Sequence, residues 1–173
     1  GVGLSPELTA REDNLKRFER EAQLASSLSH PNTVEIFDYG RTRNGLLYYA
    51  MEYLDGLTIS QLVEQAGAAL PAVLPVSRSI HILRQVCAAL TEAHGKGIIH
   101  RDISPDNIMV CRYGGQYDFV KILDYGLHKQ MAAAANTRDL TRGLRIVGTP
   151  VYMAPERLRD PADVDARADI YAV

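Results

Sequence analysis

The chain has 173 residues, the length of one domain, and its 46% hydrophobic content is enough to build a core, which excludes a disordered tail. A formal net charge of -2 gives no basis for nucleic acid or a charged membrane surface as the main partner. The two cysteines, Cys87 and Cys111, form neither a disulfide framework nor a metal-ligand pattern, and no apolar run reaches transmembrane length. With no signal-peptide pattern at the start, these features fit a reducing, cytoplasmic setting, any membrane span lying outside this sequence.

Gly1 to Ala10 is short and mixed, and Pro6 with its small neighbours reads as a loop. Over residues 11–28, Leu15, Phe18, Ala22, Ala25 and Leu28 recur at steps of three and four, with charges on the opposite face. That spacing predicts an amphipathic helix, with Thr9 as its N-cap and Glu12 completing a capping box. Thr33 to Tyr39 and Leu46 to Tyr53 read as strands, and Asn44-Gly45 between them is a hairpin signal. Thr58 to Gln65 predicts a short helix, and Ala66 to Pro75 a connector. From Pro75 a long helix runs to His94 with the stripe Ile80, Leu83, Cys87, Leu90 and His94, and Gly95 closes it. This stripe assigns Cys87 to the core, and His94 to packing or to satisfying the helix dipole.

The run His100-Arg101-Asp102-Ile103-Ser104-Pro105-Asp106-Asn107 gathers an acid, a base and an amide. Pro105 breaks any helix, and the flanking Ile98-Ile99 and Ile108-Met109-Val110 read as short buried strands, so the run is a loop between them. Loops held on rigid strands often carry chemistry, although taken alone this one is equally an ordinary polar turn. Ile108 to Cys111 and Asp118 to Leu123 read as paired strands joined by a turn containing Gly114-Gly115. Asp124-Tyr125-Gly126 follows, then the polar segment Leu127 to Ile146 with an alanine run, which suits a mobile stretch or a short helix. Gly148 to Glu156 contains Ala154-Pro155-Glu156, and Pro161 to Val173 begins a further helical segment. There is no internal repeat.

Three motifs therefore stand in order: HRDxxxxN at His100 to Asn107, DYG at Asp124 to Gly126, and APE at Ala154 to Glu156. In this set and spacing the chain resembles the protein kinase catalytic domain, most closely the eukaryotic-like Ser/Thr kinases of bacteria. The resemblance implies an α+β, two-lobed fold truncated at both ends. Residues 1–53 would be the remnant of the small lobe, with its C-helix and a hairpin. Residues 54–173 would hold the hinge, the catalytic loop, the activation segment and the first part of the larger lobe, ending at the start of the F-helix, which Asp169 would open. The Gly-rich phosphate loop and the strand lysine of the family would lie upstream, so the piece is expected to be inactive in isolation. Implied with the family are ATP and Mg²⁺ as nucleotide and metal, and a protein as phosphate acceptor.

Family positions carry over residue by residue. Asp102 would orient the acceptor hydroxyl and take its proton, while Asn107 and Asp124 would offer hard oxygen ligands to Mg²⁺. Glu21, placed by His30-Pro31-Asn32, matches the ion-pairing glutamate of the C-helix; the plain alternative is one more charge on a solvated face. Met51 would be the gatekeeper, with the backbone of Glu52 and Leu54 contacting the adenine. Thr149 fits the Ser/Thr pattern beside Pro150. Arg101 would pair with a phosphate on the activation loop, at Thr141 or, second, Thr137. Tyr125 replaces the usual phenylalanine and keeps an aromatic anchor. Ser104 is the main departure, because the family usually has a lysine there that reaches the transferred phosphate. Two classes follow: a Ser/Thr kinase of which this is a piece, or a pseudokinase scaffold that binds without catalysis. A relative of the aminoglycoside phosphotransferases is disfavoured by Ala154-Pro155-Glu156.

Overall fold

The computed structural model describes residues 6–43, 47–67, 74–125, 150–159 and 164–173. The first helix, α1, spans Pro6–Ser26. It is already helical at Pro6, so Thr9 lies inside it and is not its N-cap, and residues 6–10 of the expected loop are helical. Proline suits a first helical turn because its missing N–H has no partner to lose there. The predicted stripe holds: Phe18, Ala22, Ala25 and Leu28 are all buried. At the end of the helix, Ser26 and Ser27 donate their hydroxyls to the carbonyls of Gln23 (2.9 Å) and Leu24 (2.6 Å), occupying acceptors a helix end leaves open.

Strands β1 (Ile36–Arg41) and β2 (Leu47–Met51) form an antiparallel hairpin with Arg41 opposite Leu47. Strand β1 starts three residues later than Thr33. Residues 33 and 34 instead bridge in parallel to the last strand, and the Val34 amide donates to the Ile122 carbonyl at 3.0 Å. The Asn44-Gly45 turn lies outside the described residues. A second sheet has the order β3 (Gly56–Thr58), β4 (Ile108–Tyr113), β5 (Gln116–Ile122), antiparallel throughout. Strand β3 is too short to show a period and was not expected. It needs Gly56, because a Cβ there would lie 2.4 Å from the Val110 carbonyl oxygen. Between β4 and β5, Gly114 and Gly115 both have positive φ, 56° and 83°, as a tight two-residue hairpin turn requires.

Helix α2 (Ile59–Gly67) opens with a reciprocal cap: the Gln61 amide donates to Thr58 Oγ1 at 3.2 Å, and the Thr58 amide donates to Gln61 Oε1 at 2.9 Å. Helix α3 (Val76–Gly95) departs from expectation in its face. Its buried residues are Ile82, Val86, Ala89, Leu90 and Ala93, whereas Ile80 is 52% exposed and Cys87 is also exposed. Both rows satisfy the three-four spacing; the row rich in alanine lets α3 approach β5 closely. Nor does Gly95 close the helix. Lys96 is the C-cap and Gly97 takes the left-handed φ of 72°. The Gly97 amide donates to the His94 carbonyl (3.0 Å) and the Ile98 amide to the Ala93 carbonyl (2.8 Å), a Schellman pair.

Polar side chains then lock these pieces into one body. Gln85 on α3 accepts from the Val120 amide at 3.0 Å and from Asn32 Nδ2 at 3.0 Å, and donates to the Asp118 carbonyl at 2.8 Å. Arg78 holds Asp118 with two bonds, of 3.0 and 2.7 Å. Glu92 accepts from the amides of Ser29 (3.1 Å) and His30 (2.8 Å) and from Lys96 Nζ (2.8 Å), tying α3 to the turn after α1. A contiguous core runs from Phe18 through Val86 and Val120 to Ile108 and Tyr125. A smaller cluster joins Ala154, next to helix α4 (Pro155–Arg159), to Val164 and to Ala168 of α5 (Arg167–Ala172). Among the described residues no helix is long and apolar enough to cross a membrane.

Candidate active site

The loop after α3 is organised by a buried carboxylate. Asp169, 1% exposed, accepts from the backbone amides of His100 and Arg101 and from His94 Nε2, each at 2.8 Å. Its burial and its place in the first turn of α5 agree with the reading that Asp169 opens a helix. His94 is thereby a hydrogen-bond partner of a buried acid, a role its position near a helix end did not suggest. With both amides held, Arg101 sits at φ 65°, a left-handed conformation that costs energy outside glycine. Ile98 and Ile99 form no strand; the chain passes straight from the helix cap into this clasp.

His100 is fully buried and burial pushes its pKa down, so its ring is neutral. Its Nδ1 accepts from the Asp102 amide at 3.2 Å, which makes Nε2 the protonated nitrogen, donating to the Leu123 carbonyl at 2.8 Å. The Leu123 amide in turn donates to the Asn107 carbonyl at 2.9 Å. Leu123 is therefore held from both sides by the first loop, which carries Asp124 into its neighbourhood. Asp124 likewise has a left-handed φ, 54°. Tyr125 buries its ring against His100, with centroids 4.7 Å apart, and its hydroxyl lies 3.5 Å from Thr33 Oγ1. Burial, above all, pushes the Tyr125 phenol up to about 12, so it stays protonated.

Within the first loop, Asn107 Nδ2 donates to the Asp102 carbonyl at 2.8 Å and lies 3.4 Å from Asp102 Oδ2. This turns the amide nitrogen toward the acid and leaves the amide oxygen for another partner. Asp102 keeps about a quarter of its side chain exposed, at 26%. Ser104 is buried beside it. Glu21 is half-buried and faces a cavity shared with Arg101 and Tyr125, not a solvated helix face. Met51 ends β2 and is 41% exposed. The Glu52 amide donates to the Glu35 carbonyl at 3.0 Å, so only the Glu52 carbonyl remains for an adenine contact. Thr149, Thr137 and Thr141 lie outside the described residues.

Three further residues belong to the site and were missed. Tyr49 donates its hydroxyl to Asp124 Oδ1 at 2.6 Å, and burial first, then Asp124, pushes its pKa up. Strand alternation with buried Leu47 was the available signal. Lys121 forms a buried pair with Glu52 at 2.5 Å and also reaches the Thr33 carbonyl at 3.3 Å, bracing the segment after β2. Arg157 on α4 lies against the first loop: its Nη1 donates to the Arg101 carbonyl and is 4.0 Å from Asp102 Oδ1. Nothing in its spacing marks it.

Two acid-bearing loops cross-linked through Leu123, with a hairpin and one helix packed on them, are the arrangement of the protein kinase fold. The chain belongs to the protein kinase domain family, whose model matches residues 5–173. It is 41% identical over 166 residues to the serine/threonine-protein kinase pkn3 of Myxococcus xanthus, covering 96% of this chain and 29% of that protein. It is 37% identical over 160 residues to serine/threonine-protein kinase PknB of Mycobacterium tuberculosis, covering 91% and 24%. Among solved structures, the Mycobacterium tuberculosis PknI kinase domain matches with a TM-score of 0.67 and 33% identity, covering 98% of this chain and 56% of that one. The chain thus spans roughly a quarter of the length of these curated relatives.

Proposed function

We propose that the protein transfers the γ-phosphate of ATP to a serine or threonine hydroxyl of a protein substrate, with Asp102 as the base. The observation that carries this reading is the double tie on Leu123, which keeps Asn107 and Asp124 beside Asp102. The acceptor hydroxyl approaches Asp102, which orients it and takes its proton as the oxygen attacks phosphorus. Asn107 steadies Asp102 through its amide nitrogen. The donor set fits Mg²⁺: one carboxylate from Asp124 and one amide oxygen from Asn107 are hard ligands, and this ion keeps its other positions for water and phosphate oxygens. When bound, the ion neutralises charge on the phosphates. Tyr49 orients the Asp124 carboxylate by its hydrogen bond. The adenine is held by the carbonyl of Glu52 and the amide of Leu54 beside Met51, and we place the lobe boundary between Tyr53 and Leu54. Glu21 is assigned to the nucleotide side, Thr149 to the acceptor side, and Thr141 or Thr137 to loop phosphorylation read by Arg101.

The test is phosphate transfer by the full-length protein to a generic acceptor such as casein. Asp102→Asn should lower turnover by about 10²- to 10⁴-fold without loss of folding. Near-normal turnover would remove Asp102 from this role. ATP binding by the natural sequence with no transfer to any acceptor would favour a scaffold instead.

A further inference from the structure

We propose that Arg157 is a catalytic residue, supplying the positive charge that the first loop lacks at Ser104. This rests on the phosphotransfer reading above. Transfer to a hydroxyl joins the acceptor oxygen to the γ-phosphorus and breaks its bond to the bridging oxygen. ADP leaves with the electron pair and the hydroxyl proton passes to Asp102. Negative charge is spread over the phosphoryl oxygens between the incoming and outgoing groups, and a fixed cation aimed there stabilises that arrangement more than the ground state. The loop's own cation, Arg101, is assigned to the activation-loop phosphate, and Ser104, two residues after Asp102, is buried and carries only a hydroxyl.

Arg157 fills that place from another element. A cleft beside Asp102 is lined by Ser104, Tyr152, Met153, Ala154 and Arg157. The Arg157 guanidinium lies 4.0 Å from Asp102 Oδ1, with 17% of its side chain exposed. One nitrogen is anchored on the Arg101 carbonyl, in the left-handed stretch that Asp169 clamps. A planar guanidinium has five N–H donors, so an anchored head still has donors for a phosphoryl oxygen. It is permanently charged, and partial burial removes competing water and strengthens its effect. Because α4 follows Ala154, which packs with Val164 and Ala168, the charge depends on the segment after the activation loop being docked. The same contact thus joins the docking of that segment to the chemistry at Asp102.

The experiment is steady-state kinetics on the full-length protein with Arg157→Gln, Arg157→Lys, and the double variant Arg157→Gln/Ser104→Lys. Arg157→Gln should lower kcat by about 10²-fold, with the KM for ATP changed by no more than about twofold. Arg157→Lys should retain more activity than Arg157→Gln. Placing a lysine at position 104 should restore at least about tenfold of the loss, since the cation then comes from the loop itself. A structural tie between α4 and the Arg101 carbonyl is not replaced by a lysine at 104, so a double variant no better than the single one overturns the proposal, whatever the thermal midpoint of Arg157→Gln. Unchanged kcat in Arg157→Gln also overturns it. Either result in an active natural sequence leaves the phosphotransfer reading standing; a natural sequence that transfers no phosphate sinks both.

Discussion

Helices α1 and α3 are nearly equal in length, 21 and 20 residues, yet only one shows its buried face in its sequence. On α1 the apolar residues fall mostly on one side, with charges over the rest and Leu24 left exposed, so Phe18, Ala22 and Ala25 had one place to go. Helix α3 has apolar residues on two overlapping rows, and each row meets the helical repeat. Large side chains favoured the row with Ile80, Leu83 and Cys87. The sheet took the row with Ile82, Val86, Ala89 and Ala93, where small residues permit close approach to β5. Periodicity establishes that a helix has a face; the partner decides which face when two are available.

The largest break in the comparison should come from Phe18→Ala, which empties a fully buried position on the unambiguous helix. Denaturant unfolding should show a loss of about 3–5 kcal/mol. Ile82→Ala, on the row that α3 buries and outside the row with Ile80 and Cys87, should cost about 2–5 kcal/mol. A value near zero there would mean that the helix sits in the other rotation. Glu92 sharpens the comparison, because it links α3 to the end of α1. Burial alone would raise its pKa, but the Lys96 contact and the amides of Ser29 and His30 outweigh it and bring the carboxyl from 4.5 down to about 2. Its folded pKa is depressed, so its stabilisation is full above pH 4.5 and drains away as pH falls toward 2. Glu92→Gln should cost about 1–3 kcal/mol at pH 7, and the gap to the natural sequence should close over that acid range. A pH-independent gap would show that the carboxylate charge is not what binds the turn. The smallest effect belongs to Ile80→Ala and Cys87→Ala, each within about 0.5 kcal/mol, since both side chains point to solvent.

The same division runs through the site. The sequence alone determined which loops gather the candidate site residues, because HRDxxxxN and DYG place Asp102, Asn107 and Asp124 within short segments whose residue types set their chemical possibilities. It also determined the α1 stripe and the Gly114-Gly115 turn, since both are local matters of side-chain period and backbone freedom. Where the chain had to choose among local options, it was not decisive: Gly95 and Gly97 both suit a helix end, and the bonds from Ile98 and Gly97 selected the second. Tertiary structure decided everything that joins distant residues. Asp169 meets His94 and His100 across about 70 positions, Tyr49 meets Asp124, and Arg157 reaches Asp102 from a different helix. No periodic pattern encodes such meetings. They follow from how helices and sheets stack once their apolar faces are buried, and a polar side chain that finds a buried partner there has few other ways to satisfy its charge or hydrogen bonds.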